Sequence, residues 1–356
     1  LNIMPYITAS IIMSLMEGTN PVLKKKFREE GEEGRRLRTA YVRYGTVALA
    51  LLQASGLALG LQNQGLALEP GPTFQLIAVV SLVTGTVFLM WLGEMVTERG
   101  IGNGISIIIF SSIVSGLPRA IGQAFEGARQ GDINLLLLLS IALVAITAIA
   151  FIVWVERGQR RVTVNYARRQ QGRKMVQGQT SYLPMKINQA GVIPAIFASA
   201  LLLLPVTFSN FNFSNNEAFL NISSYFSQGQ PLYMFLYASG IIFFTFFYTS
   251  IIFNPTETAE NLRKYGGFIP GIRPGESTAL YIDDILTKLT TIGALYLTLV
   301  CLMPEFLIAN YPIPFYLGGT SILIVVVVAI DTVTQVQTRL MSAQYEQLIK
   351  KTKFGR

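Results

Sequence analysis

LLLLLSIALVAITAIAFIVWV, residues 135–155, decides the fold. It runs 21 residues without a charge, and a helix of about 20 apolar residues crosses the hydrocarbon core of a bilayer. In lipid the backbone must satisfy its own hydrogen bonds, so the stretch reads as a transmembrane helix. Similar windows lie at 42–62, 73–93, 104–123, 188–206, 231–253, 287–309 and 314–335, and residues 1–16 read as a shorter ninth. The composition agrees. The 356 residues are 51% hydrophobic and 13% charged, where soluble domains carry roughly 25% charged residues. Mean hydropathy is +0.46. The fold class is an all-α polytopic membrane protein.

Lysine and arginine alternate from loop to loop. Residues 18–43 carry eight and 63–72 none; 156–187 carry eight and 207–230 none; 254–288 carry four and the stretch after Gln335 five. Arg99 lies in the turn at 94–103. Of 28 basic residues, only Arg119 and Arg129 fall on the sparse side. Basic loops face the cytoplasm, so these loops and the tail are expected there, with residues 1–16 starting from the outer side. The chain begins at Leu1 inside an apolar stretch. Further residues are expected to precede it, and no cleavable signal peptide is visible.

The middles of the windows hold no Lys, Arg, Asp or Glu; Glu94 and Asp331 sit near window ends. Proton-coupled transporters keep titrating groups at mid-membrane. There is no histidine, the commonest general base and metal ligand. No enzyme chemistry, cofactor or metal is therefore expected, and the lone Cys301 permits no disulfide framework. Pro5, Gly191 with Pro194, and the Gly318-Gly319 pair interrupt windows. They fit ordinary helix packing or helices that move apart.

GQRRVTVNYARRQQGRKM, residues 158–175, follows the opening stretch with five arginines, one lysine and no acid. Alternation over 161–166 predicts a strand, with 181–188 as its return and Gln171-Gly172 near the turn. A solvated positive loop needs fewer charges. The excess suits a polyanion such as lipid headgroups, an acidic protein or RNA phosphates. The loop 254–286 is nearly balanced in charge. Within it GGFIPGIRPG displays Arg273 between Pro270 and Pro274, as a docking contact or as solvated decoration. GIGNG at 100–104 reads as a tight turn, since a phosphate loop there lacks its flanking strand.

IMPYITASII (3–12), TERGIGNGISIIIF (97–110), VERGQRRVTVNYARRQQGR (155–173), NQAGVIPAIFAS (188–199), NPTETAENL (254–262), FIPGIRPGEST (268–278) and FYLGGTSILIVVVV (315–328) resemble, in order, the SecY family of protein-conducting channels. The resemblance implies two inverted, pseudo-symmetric helix-bundle halves around a central pore. Residues 1–133 would be the rest of the N-terminal half, from the second half of span 2 through spans 3–5. Residues 134–335 would be the C-terminal half, with cytoplasmic loops 156–187 and 254–286, and 336–356 a tail. The family's first span and plug precede this point. A pore ring is implied at Ile3, Ile7, Ile109, Ile113, Ile196 and Ile324. Lateral-gate polar residues are implied at Thr8, Gln53 and Asn188, and Gln53 and Asn188 are expected to bridge the halves when the gate is closed. Docking of the ribosome (rRNA phosphates and proteins) or the SecA motor is implied at Arg160, Arg161, Arg168, Arg169, Arg173, Lys174 and Arg273. SecE, SecG, nascent chains, signal peptides and membrane lipids are the further implied partners. The bacterial plasma (inner) membrane is the implied location. The implied activity is passive passage of unfolded polypeptide, with apolar segments released sideways into lipid. A secondary transporter with inverted repeats is the alternative, and it needs a polar mid-membrane site.

Overall fold

The computed structural model describes residues 1–28, 31–63, 65, 67, 69–130, 135–166, 169–171, 174–176, 180–209, 230–310 and 319–353. Every apolar window contains a helix. In chain order these are α1 (Met4–Thr19), α3 (Gly31–Asn63), α4 (Pro72–Arg99), α5 (Gly104–Gln130), α6 (Leu135–Arg157), α7 (Ile193–Ser209), α8 (Pro231–Ile252), α10 (Glu276–Asn310) and α11 (Gly319–Lys353). Two shorter helices, α2 (Pro21–Arg28) and α9 (Pro255–Lys264), lie between them. Among the described residues, seven helices are long and apolar enough to cross a membrane.

The windows locate the parts of these helices suited to lipid, not their ends. α3 starts at Gly31, well before residue 42; α10 starts at Glu276, before residue 287; α11 continues through the expected tail to Lys353. Arg, Glu, Gln and Lys are good helix formers that hydropathy does not register. The window at 188 errs the other way. Residues 188–192 form a turn, with Gly191 at φ +65°, and α7 begins at Ile193. GIGNG is the tight turn expected between α4 and α5, with Gly102 at φ +86°. A Cβ on Gly104 would collide with the Gly93 carbonyl oxygen, so the two helices approach there without a side chain between them.

The basic loop is a hairpin. β1 (Gln159–Tyr166) pairs antiparallel with β4 (Thr180–Lys186), in register from Gln159↔Lys186 to Asn165↔Thr180. A smaller pair, β2 (Arg169–Gln171) with β3 (Lys174–Val176), forms a separate two-stranded sheet. The sequence gives no sign of β5 (Gly267–Phe268), which adds to β1 through Asn165↔Phe268 and Tyr166↔Gly267. The sheet order is β4-β1-β5, so strands from both long basic-side loops form one sheet. Its apolar face, Val162, Val164 and Met185, packs on Ile269, Ile282 and Ile285 as a separate small core.

Helices α1, α3, α4 and α5 pack in succession, and α7, α8, α10 and α11 form a second group with α6 against α11. The groups meet along two seams. At one, α1 and α3 touch α7; at the other, α5 packs on α11.

Candidate functional site

The largest core runs between the two groups. Four elements deliver the six isoleucines to it. Ile3 caps α1 and Ile7 lies one turn on; Ile109 and Ile113 are one turn apart on α5; Ile196 is on α7 and Ile324 on α11. The four-residue spacing puts each pair on one helical face. Ile3, Ile7 and Ile324 are 1%, 9% and 7% exposed, and Ile109, Ile113 and Ile196 are half-buried against them. Asn2 fixes the entry to α1. Its Oδ1 accepts from the Ile3 N–H at 2.9 Å, and its Nδ2 donates to Ser112 Oγ on α5 at 3.1 Å. The result is an apolar waist joining the groups.

The three polar residues have separate surroundings. Thr8 is buried and returns its hydroxyl to its own helix, donating to the Met4 carbonyl at 3.0 Å. Gln53 is half-buried on α3. Asn188 is 3% exposed and belongs to a knot within the second group. Its Nδ2 donates to Glu156 Oε1 at 2.7 Å and to the Gly191 carbonyl at 3.1 Å, while its Oδ1 accepts from the Gly191 N–H at 3.0 Å. Tyr296 of α10 donates to the same Glu156 oxygen at 3.4 Å. Asn188 is thus engaged within its own helix group, where a bridge to Gln53 is expected in a closed gate. No hydrogen bond joins the two among the described residues, because the asparagine's amide closes its own turn and holds the end of α6.

On the loop surface, Arg160 and Arg161 are exposed on β1 and Arg273 is exposed at its turn. The Arg273 carbonyl accepts from Thr278 Oγ1 at 2.8 Å, which ties the turn to the start of α10. Arg169 and Lys174 belong to β2 and β3. Arg168 and Arg173 lie outside the described residues.

Sequence reasoning placed Glu94 and Asp331 near window ends but missed the pairing of these carboxylates, and missed Glu17 and Glu305 altogether. Buried Glu17 of α1 accepts from Arg38 Nε of α3 at 3.2 Å, and Arg38 also donates to Ser14 Oγ. Arg43 of α3 holds Glu94 of α4 with both oxygens engaged, the shortest distance being 2.8 Å. Lys186 of β4 lies 3.9 Å from Asp331 of α11. Glu305, near the other end of α10, is also buried, within the span and not beyond it. The readable signal was an acid at the same membrane level as a basic residue on the next helix, since such charges are placed in pairs.

These features define a polytopic membrane protein of two helix groups joined at an apolar waist, with a basic hairpin beyond one membrane face. The SecY family profile matches residues 1–333. The protein translocase subunit SecY of Pseudomonas aeruginosa is 57% identical over 353 residues, which cover 99% of this chain and 80% of that one. The Escherichia coli K12 protein of the same name is 57% identical over 358 residues, with the same coverage. The chain belongs to the SecY family. Among solved structures, a SecY whose plug domain is described as stabilising the closed translocation channel has TM-score 0.73 at 19% identity, covering 96% of this chain and 82% of that one. Sec61 in the canine ribosome–channel complex has TM-score 0.68 at 18% identity, covering 96% and 81%. At that identity the likeness concerns the fold.

Proposed function

We propose that the chain is the pore-forming subunit of a protein translocase. Unfolded polypeptide passes between residues 1–133 and 134–335, the two halves. The six isoleucines form the constriction, and it excludes water and ions because an apolar constriction dewets. Apolar segments leave sideways where α1 and α3 face α7 and α8, since their transfer into lipid is favourable. The supporting observation is the convergence of six isoleucines from four elements on one core between the helix groups. The relatives' name, protein translocase subunit, points the same way. The transporter alternative is not favoured by these relatives.

The chain itself performs no hydrolysis in this reading. Energy comes from a partner on the hairpin side, which is the cytoplasmic side of a bacterial plasma membrane. The surface β1–β4 with Arg273 receives the ribosome or the SecA motor, and SecE and SecG complete the channel. A structural relative determined on a ribosome supports the first of these. The experiment places a photo-crosslinking residue at Ile196 in the assembled channel and stalls a half-exported precursor. Crosslinks to the precursor from 196, and none from lipid-facing Leu139, are expected. Equal labelling from both positions, or none from 196, refutes the pore.

A further inference from the structure

Two apolar stripes face the seam where α1 meets the second helix group. On α1, Ile7, Ile11, Leu15 and Gly18 recur at helical spacing and share a face. On α8, Ile241, Phe244, Tyr248 and Ile251 do the same. Ile7, Ile11, Ile241 and Phe244 are buried in the core between the groups, and Leu15 and Tyr248 pack against it. Both helices run toward the hairpin side, and there the α1 stripe ends in the residue without a side chain. A Cβ on Gly18 would lie 2.7 Å from Ile251 Cδ1 and 3.2 Å from Phe247 Cζ, so the two helices meet at this point only because that Cβ is absent. Gly18 is otherwise exposed, which puts the contact at the rim of the seam.

Both sides of the rim are braced. Buried Glu17 accepts from Arg38 Nε at 3.2 Å, and Arg38 Nη2 donates to Ser14 Oγ at 3.2 Å, so the last turns of α1 are tied to α3. On the other side, Phe197 of α7 sets its ring edge-on against Phe244 and Tyr248, at centroid distances of 5.7 and 5.8 Å. Beyond Ile252 the chain turns at once into α9, whose first N–H groups, of Thr256 and Glu257, donate to Asn254 Oδ1. A side chain added at 18 therefore pushes across the seam, onto Ile251.

We propose that Gly18 is a specificity-determining residue: its missing side chain lets the rim close on Ile251 and Phe247, and the tightness of that fit sets how apolar a segment must be to leave sideways. The proposal rests on the sideways exit described above. A segment leaves when its gain in lipid exceeds the cost of parting the rim. A bulky residue at 18 clashes only while the rim is closed, so it shifts the balance toward the open seam by the whole of the clash.

The test uses the assembled channel in vesicles and a series of model segments of about 20 residues, graded from alanine-rich to leucine-rich. The readout is the ratio of inserted to exported segment. For the segment that wild type inserts half the time, Gly18→Val should raise the ratio about five-fold, the lower end of what overpacking costs. Adding Ile251→Ala removes the colliding Cδ1 and Cγ1 and should bring the ratio back to within about two-fold of wild type. Gly240→Ala is the control for packing damage in general, since its Cβ would meet Ala198 Cβ at 3.2 Å inside the second group; it should stay within about two-fold as well. An unchanged or lowered ratio in Gly18→Val overturns the proposal, as does a double variant that stays at the single variant's ratio, or a Gly240→Ala shift as large as that of Gly18→Val. A wild type that inserts none of the segments refutes the sideways exit itself, and this proposal with it.

Discussion

Asn188→Leu should be among the most damaging single changes in the second helix group. The side chain is 3% exposed and makes three hydrogen bonds, one of them to a carboxylate. A bond to a charged group contributes about 1.5–3 kcal/mol, and the Gly191 N–H left orphaned costs about 1–3 more. Leucine's greater apolarity returns about 1 kcal/mol. The net loss is roughly 3 kcal/mol. Glu156→Ala should cost less when Leu already stands at 188, because its best partner is gone. The coupling between the two positions should be about 1.5–3 kcal/mol. The assay is reversible unfolding of the purified subunit in mixed micelles, run on wild type, both single variants and the double variant. Gln53→Leu is the control. It has no bond to Asn188 and should stay within about 0.5 kcal/mol of wild type. A coupling below about 0.5 kcal/mol, or a Gln53→Leu loss as large as that of Asn188→Leu, would refute the knot and restore the bridge across the halves.

Ile196→Asn or Ile324→Asn should wet the waist, raising ion conductance and export of signal-defective precursors; closed-channel conductance equal to wild type would count against the ring. Arg160→Gln with Arg161→Gln should reduce the slope of log ribosome affinity against log salt by somewhat under two units if both meet RNA phosphates, as read by sedimentation at a series of salt concentrations. Arg273→Glu should impair ATP-driven import into vesicles while leaving most ribosome affinity. Gly293→Ala should destabilise by about 1–3 kcal/mol, since the added Cβ would come within 2.9 Å of the Ile187 carbonyl oxygen at the base of the hairpin; the same micelle unfolding measures it.

Hydropathy located the membrane helices because lipid imposes a single requirement, apolar side chains over about 20 residues. It could not see the water-side extensions of α3, α10 and α11, where helix propensity acts without apolarity. The hairpin was legible because alternation over 161–166 is a local signal. β5 was not, because two residues pairing with a strand a hundred positions earlier carry no local pattern. The isoleucines illustrate the limit most sharply. Spacing links Ile3 to Ile7 and Ile109 to Ile113, but only the family resemblance connected those pairs with Ile196 and Ile324. The structure brings all six to one core. Asn188 was singled out for its polarity, but its contact with Glu156 was not legible, since Glu156 lies just past the end of a different window and meets it only once the turn at 188–192 has formed.

The three-stranded sheet has a mechanical consequence. Through β5 and the small core beneath it, the basic hairpin and the Arg273 turn are spliced into one stiff block, and that block is continuous with the start of α10 and tethered to α11 by Lys186 and Asp331. Among the described residues, its strand pairing and apolar core involve nothing from α1 to α5. A torque applied anywhere on this outcrop is delivered whole to one side of the waist, as through a crank. In the proposed channel, a bound object would not have to reach the membrane interior to act on the α1–α7 seam; tilting the block would suffice.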